Sequence, residues 1–595
     1  MRFSKLAADL QDLDKTASRN AMIKFLAYSL SQASEKEIDK LCYLLLGELA
    51  PAYRGLEFQI AEKMMIQALA EVYHRTTADI GRSYKTKGDL GDVAYELGAR
   101  AAAGKQRLTV EAVYDALEDI AKEQGKGSQE RKIRKMADLL ASLDRISAKY
   151  VSRIPIGKLR LGFSDATLLD ALSFMIKGDK SARPQIERAY NVTADIGQIA
   201  HRIKQRGLGA LARLEAQPGV PIRPSLAERL TDITDIFTKV GREVGVEQKL
   251  DGFRTQIHVW KENGTRRAAL FSRNLENTTF MFPEITRAAR GLKVQSAILD
   301  GETIGYYPRT GRFAPFQETV QRKRKHGIEE LAKKIPLAVF IFDIMHLDGR
   351  SLIGLPFTQR RKALEKLLGA PRPTGAIRLA SHRVTSEPEV VIKALKESVS
   401  QGLEGLVVKN LQAGYEAGSR GFHWVKLKAT TAALEKLRAG ASPGQLPDTI
   451  DCLIMGAYRG RGKRAQFGVG GFLLGVRGPD ERYYTISRLG TGLSDQQFRD
   501  ANRQVKALTV KEQPKDYVAQ KDSAPDIWIR PALVAEILAD EITLSPRHTA
   551  GRKKDGTGYS LRFPRLVRLR ADKKPEDATT VEEIEKMHRQ QKRST

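Results

Sequence analysis

The chain has 595 residues, 41% hydrophobic and 29% charged, a composition that indicates a folded protein of two to four domains rather than a disordered or fibrous one. Lysine and arginine number 100 against 71 acidic residues, and the resulting net charge of +29 at pH 7 favours a polyanionic partner. The two cysteines, Cys42 and Cys452, exclude a disulfide framework and a four-cysteine zinc site, and without an apolar run of membrane-spanning length we expect a cytoplasmic protein with no membrane partner.

The first part of the chain, up to about residue 215, is predicted to be helical. Segments such as FQIAEKMMIQALAEVYH and SDATLLDALSFMIKG place apolar residues at intervals of three and four, the period of one helix face. Basic residues between these segments, as in RSYKTKGDLGDVA and RIPIGKLRLGF, suggest a surface that contacts phosphates. A generic helical scaffold is the alternative interpretation of the same periodicity.

The proline-containing segment QPGVPIRPSLAERL ends the helical pattern, and the period of the apolar residues then changes to two. Strand-like segments such as RTQIHVW, KVQSAILD and LAVFIFDIMHL alternate with a few helical stretches, which predicts an α+β region. Beyond GASPGQLPDT, short strands joined by glycine turns, such as GGFLLGVRG, predict a small all-β barrel. The glycine- and proline-containing segment RAGASPGQLPD is predicted to permit motion between these two regions.

Lys249 lies in the segment VEQKLDGFRTQIH, where a predicted strand turns at a glycine. A lysine is a nucleophile only when it is neutral, and burial or nearby cations lower its pKa. Attack by the amine on the α-phosphorus of a nucleotide would also require cations and a metal ion to neutralise the phosphates. The pattern Lys-x-Asp-Gly-x-Arg is short, and alone it is moderate evidence for this chemistry.

Five further motifs follow in order along the chain: SRN at 272–274, LDGET at 299–303, FIFD at 340–343, LEGLVVK at 403–409 and WVKLK at 424–428. Each has a plainer interpretation by itself, such as a hairpin turn, a core aromatic residue or a solvated basic face. With KLDGFR, the ordered set resembles the serial motifs of covalent nucleotidyltransferases, the superfamily of ATP-dependent DNA ligases, RNA ligases and mRNA capping enzymes.

The resemblance implies a role for each matching residue. Lys249 would carry AMP as a phosphoramidate, Glu247 would accept a hydrogen bond from the adenine amino group, and Phe342 would stack on the base. The ribose and phosphates would be held by three arginines: Arg254, Arg273 and Arg420.

The remaining matches concern charge around the α-phosphate. Glu302 and Glu404 would position a magnesium or manganese ion or the ribose, since carboxylate oxygens suit a hard cation. Lys426 and Lys428 would neutralise the α-phosphate, and we expect them also to lower the pKa of Lys249.

The flanking regions resemble those of archaeal and eukaryotic replicative DNA ligases. GKLRLGFSDATLLDAL is similar to their helical DNA-binding domain, and SLRFPRLVRLRADKKPEDATT is similar to their C-terminal barrel. The resemblance implies a helical DNA-binding domain over 1–215, an adenylation domain over 216–440, and an OB-fold domain with a C-terminal helical tail over 441–595. It also implies an ATP-dependent DNA ligase of the archaeal form, a monomer that seals nicks in double-stranded DNA in replication, repair and recombination and associates with the nucleoid in a prokaryote.

Within the C-terminal region, RLRADKK matches an Arg-x-Asp-Lys motif that the barrel brings over the nucleotide in this family. The matching residues are Arg570, Asp572 and Lys573. We expect them to orient the β- and γ-phosphates in line with the attacking amine. A solvated basic loop is the alternative.

Other functions stay open at this point. An RNA ligase or a capping guanylyltransferase would share the central motifs but normally lacks so large a helical region, and a catalytically silent nick-binding protein would not need Lys249. An NAD-dependent ligase is disfavoured because its zinc-binding cysteines are absent. Sliding-clamp binding is undecided, since GKQRLTVEAVY lacks the glutamine with paired aromatic residues that such a peptide needs. The sequence also leaves open whether ADP, GTP or NAD can replace ATP.

Overall fold

The computed structural model describes residues 1–16, 18–98, 108–157, 159, 161, 163–230, 233–307, 309–314, 316–324, 327–369, 375–401, 403–428, 449–459, 468–490, 493, 495–539 and 541–593. The chain divides into two compact units, Met1–Leu427 and Lys428–Thr595. The segment RAGASPGQLPD, the predicted boundary at 440 and part of GKQRLTVEAVY lie outside the described residues. In the described part of the chain, no helix is both long enough and apolar enough to cross a membrane.

The first unit begins with helices. Ser18 and Thr109 cap the helices that follow them, since each side chain accepts a hydrogen bond from the backbone N–H three residues later. These caps explain where the two helices begin. Leu6, Leu69 and Leu117 are fully buried in their common core. The helices are α1 Phe3–Lys15, α2 Arg19–Gln32, α3 Ile38–Leu46, α4 Glu62–Val72, α5 Thr77–Lys87, α6 Leu90–Gly98, α7 Val110–Lys122, α8 Ser128–Ala141, α9 Arg145–Arg153, α10 Asp165–Lys177, α11 Arg183–Thr193 and α12 Ile196–Arg206.

Strands and helices alternate in the rest of this unit. The strands are β1 Leu226–Arg229, β2 Val244–Lys249, β3 Phe253–Glu262, β4 Thr265–Ser272, β5 Ser296–Tyr307, β6 Arg312–Phe313, β7 Leu337–Leu347, β8 Arg350–Ser351, β9 Ile377–Leu379, β10 Arg383–Thr385, β11 Gly405–Asn410 and β12 Arg420–Lys428. The helices are α13 Thr234–Lys239, α14 Pro283–Arg290, α15 Phe316–Thr319, α16 Ile328–Lys334, α17 Phe357–Leu368 and α18 Pro388–Ser400.

These strands form two sheets that place the motifs next to one another. One sheet has the order β1-β12-β11-β2-β10, and the other has the order β4-β3-β5-β7-β8, with β6 paired to β5 and β9 to β7. The chain passes from the first sheet to the second between Lys249 and Phe253, at the glycine of the KLDG motif. Because β2 and β3 belong to different sheets, residues at this crossing can meet groups from both.

In its described residues, the second unit is a β structure with two α-helices. Its larger sheet contains the path β16-β18-β13-β14-β15-β17 with β19 and β22 attached, and β20 pairs with β21. The strands are β13 Ile450–Arg459, β14 Val469–Arg477, β15 Tyr483–Leu489, β16 Thr509–Val510, β17 Tyr517–Val518, β18 Ile527–Ile529, β19 Val534–Leu538, β20 Glu541–Ser545, β21 Gly558–Arg562 and β22 Arg565–Leu569; the helices are α19 Asp495–Leu508 and α20 Val581–Arg593.

The predicted fold class is confirmed: an all-α region, an α+β region and an all-β region follow one another along the chain. Helix α20 lies at the position of the predicted C-terminal helical tail. Helix α19 was not predicted, although its apolar residues Phe498, Ala501 and Val505 follow a helical spacing and pack into the barrel core.

Candidate active site

Lys249 is the last residue of β2, and its surroundings are set by the neighbouring strand and by the turn that follows. β11 pairs antiparallel with β2 so that Gly405 lies opposite Lys249, and the Glu404 backbone N–H donates to the Lys249 carbonyl at 3.2 Å. A Cβ atom at Gly252 would overlap the carbonyl oxygen of Thr303 on β5. The motif therefore needs glycine there because the turn passes directly against a second sheet.

The Lys249 amine lies among carboxylates. Its Nζ donates a hydrogen bond to Glu404, and the two side chains are only 22% and 13% exposed. Burial alone would lower the pKa of Lys249, but Glu404 in direct contact, with Glu302 and Asp251 nearby, outweighs burial and raises it. The expectation of a lowered Lys249 pKa is therefore wrong for this structure, because the carboxylates dominate the field at the amine; the contribution expected of Lys426 and Lys428 stays a prediction.

The pKa of Glu302 is also raised, but here burial is the cause. Burial raises the pKa of its carboxyl group to about 8, although Lys249, Arg254 and Arg273 act to lower it. The backbone positions Glu302 on β5 directly opposite Arg254 on β3. A carboxyl group with so high a proton affinity is under-compensated by the cations around it, and it is a candidate ligand for a further cation.

Glu302 and Glu404 suit a divalent metal in kind and number. Glu404 contacts the Lys249 amine, and Glu302 contributes to the electrostatic field at the same amine. Among the described residues, no group of three or more histidine, cysteine, aspartate or glutamate side chains could hold a metal ion. Two carboxylates with the remaining ligands from water and phosphate oxygens is the arrangement typical of magnesium bound with a nucleotide, so these residues fit the ion.

The predicted base-binding residues lie beside one another. Glu247 is 4% exposed, and its Oε2 is 2.8 Å from the Nζ of Lys409. The Phe342 ring meets the Trp424 ring edge-to-face, with 5.7 Å between centroids. Lys409 is the last residue of the LEGLVVK motif, but it was not predicted to be functional. A lysine at the end of an otherwise apolar strand is the sequence feature that could have indicated a role.

Arg254 makes different contacts from those expected. Its guanidinium forms a two-point ion pair with Asp300, with Nε and Nη2 at 3.1 and 2.6 Å from the carboxylate oxygens. Tyr415 donates to the same carboxylate at 2.7 Å, and Asp300 is fully buried. Burial lowers the pKa of Arg254, but Asp300 raises it by more. In this structure Arg254 is thus bound to protein groups. Asp300, which lies in the LDGET motif but was assigned no role, and Tyr415, which lies in none of the motifs, are additional site residues.

The other predicted residues of the α+β region are placed by the strands that carry them. Arg273 follows β4 and contributes to the electrostatic field at Glu302. Arg420 opens β12 opposite Leu226, and Lys426 lies opposite Arg229 on β1. The side chain of Lys428 is outside the described residues.

The Arg-x-Asp-Lys motif belongs to the second unit and is largely buried there. Arg570 binds Asp572 through two hydrogen bonds of 2.9 and 2.8 Å and lies 3.5 Å from both Asp451 and Glu536. Lys573 forms an ion pair with Asp451, and its side chain is 8% exposed. These residues do not form the solvated basic loop that was the alternative prediction, because their side chains lie in a largely buried ion-pair network within the second unit.

Three family models match consecutive parts of the chain. They are described as DNA ligase N terminus over residues 2–173, ATP dependent DNA ligase domain over 224–428, and ATP dependent DNA ligase C terminal region over 465–573. Their order is that of the helical, α+β and β regions.

Similar proteins extend over the whole chain. A probable DNA ligase of Dictyoglomus thermophilum is 42% identical, and one of Dictyoglomus turgidum is 40% identical; each alignment covers 100% of this chain and 98% of the relative. A DNA ligase of Aeropyrum pernix is 39% identical with the same coverage. Identity at this level over the full length, together with the three matched regions and a lysine enclosed by carboxylates where the family motif begins, establishes that this chain belongs to the ATP-dependent DNA ligase family.

Proposed function

We propose that the protein seals nicks in double-stranded DNA through a covalent lysyl-AMP intermediate on Lys249. The observation that carries the proposal is the placement of the Lys249 amine, which lies partly buried against Glu404 and near Glu302 at the crossing between the two sheets. The base-recognition candidates Glu247 and Phe342 lie on strands of those same two sheets. One nucleotide with its base near Glu247 would bring its α-phosphate towards Lys249.

The proposed reaction has three steps. In the first, the deprotonated Lys249 amine attacks the α-phosphorus of ATP, an N–P bond forms with loss of a further amine proton, and pyrophosphate leaves with the bridging oxygen. In the second, a 5′-phosphate oxygen at the nick attacks the same phosphorus, the N–P bond breaks, and the Lys249 amine takes up a proton as it is released. In the third, the 3′-hydroxyl attacks the 5′-phosphate phosphorus and loses its proton, and AMP departs as the new phosphodiester bond forms.

Glu404 would control the protonation of the nucleophile. While its carboxylate contacts Lys249, the raised pKa keeps the amine protonated and unreactive at neutral pH. A magnesium or manganese ion bound by Glu302 and Glu404 supplies neutralisation of the phosphate charge. Loss of the Glu404 contact would remove the strongest effect that raises the pKa of the amine, whereas burial acts to lower it.

We assign the remaining predicted residues to the nucleotide as well. Arg273 and Arg420 are assigned to the ribose and phosphates, Lys426 and Lys428 to the α-phosphate, and Arg570 and Lys573 to the outer phosphates. For Arg254 the ion pair with Asp300 supports a positioning role, in which it supports Phe342 and Trp424, whose ring centroids each lie 5.5 Å from its guanidinium carbon. The helical region is assigned to the phosphates of nicked DNA, and we propose a cytoplasmic monomer.

The deciding experiment is charging with α-labelled ATP and magnesium. The wild-type protein should retain label after denaturation, and Lys249→Ala should retain none. Lys362→Ala, which removes an exposed lysine elsewhere in the same unit, is the matched control and should charge normally. Labelling of Lys249→Ala to the wild-type level would overturn the proposal.

A further inference from the structure

The wall of the base pocket contains a buried lysine with no assigned role. Lys409 lies on β11, which pairs with β2 so that Val407 is opposite Glu247 and Lys409 is opposite Gly245. Side chains two residues apart on a strand project to the same face, so Lys409 lies diagonally across from Glu247. Its side chain is 1% exposed.

The Lys409 ammonium group is in contact with a carboxylate, a carbonyl oxygen and three aromatic rings. It lies 2.8 Å from Glu247 Oε2 and donates to the Phe342 carbonyl oxygen at 2.9 Å. Three ring centroids, those of Phe342, Phe357 and Trp424, lie within 4.5–4.8 Å of Nζ. These contacts offset part of the hydration that a buried ammonium loses, although burial still lowers the pKa of Lys409, and they hold the group in one position.

The second oxygen of the Glu247 carboxylate is in a different state. Glu247 Oε1 is buried and accepts no hydrogen bond of good geometry. The nearest basic atoms are His382 Nδ1 at 3.4 Å and Arg361 Nη1 at 3.9 Å, and neither of these atoms makes a hydrogen bond either. Burial raises the pKa of Glu247, but Lys409 and His382 lower it by more, so the group is ionised and can only accept hydrogen bonds.

A buried carboxylate oxygen without a donor is costly, and it therefore indicates a donor that arrives with a ligand. Resting on the proposed function, we propose that Lys409 is the positioning residue that sets the base selectivity of the nucleotide pocket. By holding Oε2, it presents Oε1 to one amino group on the base, and by holding the Phe342 carbonyl it fixes the strand that carries the stacking ring. A purine with an amino group at C6 would be accepted, whereas a carbonyl there would face a carboxylate and be repelled.

The test compares charging by ATP with charging by purine riboside triphosphate, which lacks only the 6-amino group. For each nucleotide, the rate of charging is measured at low nucleotide concentrations and divided by the concentration. The value for ATP divided by the value for purine riboside triphosphate is the preference ratio. A hydrogen bond to a charged acceptor predicts a preference for ATP of roughly 10- to 100-fold in the wild type. Lys409→Met should reduce this ratio to within a few-fold of one, mainly through a higher KM for ATP. Lys362→Met is the matched control and should keep the wild-type ratio.

Glu247→Gln is the second variant, and it keeps the inference testable if Lys409→Met does not fold. It should lose the same preference, and combining the two substitutions should add little because Lys409 acts through Glu247. Equal loss of charging with both nucleotides in folded Lys409→Met would show a merely structural role and overturn the inference, as would full preference in Glu247→Gln. A wild-type protein that charges with ATP without preference would overturn the inference alone; one that charges with neither nucleotide would overturn the proposed function and the inference together.

Discussion

Replacing Arg254 with methionine separates a structural role of this residue from a nucleotide-binding role. The substitution removes the partner of Asp300 and leaves a fully buried carboxylate, whose remaining side-chain donor is Tyr415. Loss of one partner from a buried ion pair costs about 3–5 kcal/mol. For a domain of about 150–250 residues, each kcal/mol lowers Tm by about 2–4 °C, so the transition of the α+β region should fall by roughly 6–20 °C.

Arg267→Met is the matched control. Arg267 pairs with Glu262 at 3.1 Å on the same sheet, but both side chains are 54% exposed. An exposed pair contributes about 0–1 kcal/mol, which corresponds to a Tm change below about 4 °C. Calorimetry and charging with labelled ATP should be run on both variants. If Arg254→Met melts like the control and nevertheless fails to charge, the arginine acts on the nucleotide and the structural argument is refuted.

Four further predictions concern the site and the DNA. The pKa of Glu302, raised by burial to about 8 from 4.5, means that the folded state binds this proton more tightly, so the free energy of unfolding should fall as pH rises from about 4.5 to about 8. Glu302→Gln should remove that part of the slope, and Tm profiles parallel to the wild type from pH 5 to 8 would contradict it. Gly252→Ala should abolish charging because its Cβ would overlap the Thr303 carbonyl oxygen, whereas Gly354→Ala, with no atom within 4 Å of the new Cβ, should charge normally; equal activity of the two would contradict the packing argument. Replacing Arg570, Asp572 and Lys573 together with alanine should abolish charging while largely sparing the sealing of a nick that already carries 5′-AMP. Loss of both activities, reproduced by Asp451→Asn alone, would indicate that the ion-pair network only stabilises the barrel. Affinity for nicked DNA should fall by about 10³ to 10⁵ between 50 and 200 mM salt if roughly six to ten phosphates are contacted, and a shallow salt dependence measured by fluorescence anisotropy would contradict phosphate binding.

The helices, strands and turns could be predicted from the sequence because they depend mainly on residues that are neighbours along the chain. The apolar period changes from helical to strand-like after residue 215 and marks the first strands. The turn after Lys249 required a glycine, and Gly252 packs against Thr303 as a close backbone approach would demand. The α, α+β and β regions and their family resemblance could be predicted without knowing which side chains contact one another in the fold.

The electrostatics of the site depend on pairings between distant parts of the chain. Lys249 meets Glu404 only because β2 pairs with β11, and Arg254 meets Asp300 only because β3 pairs with β5. The motifs contain both basic and acidic residues, and the sequence does not say which of them lies within contact distance of Lys249. A Coulomb interaction falls with distance and strengthens with burial, so the sign of the Lys249 pKa shift was decided by strand register. For the same reason the contact between Lys409 and Glu247 could not be predicted from the sequence. It forms because β11 pairs with β2, and the fold places three aromatic rings around Lys409.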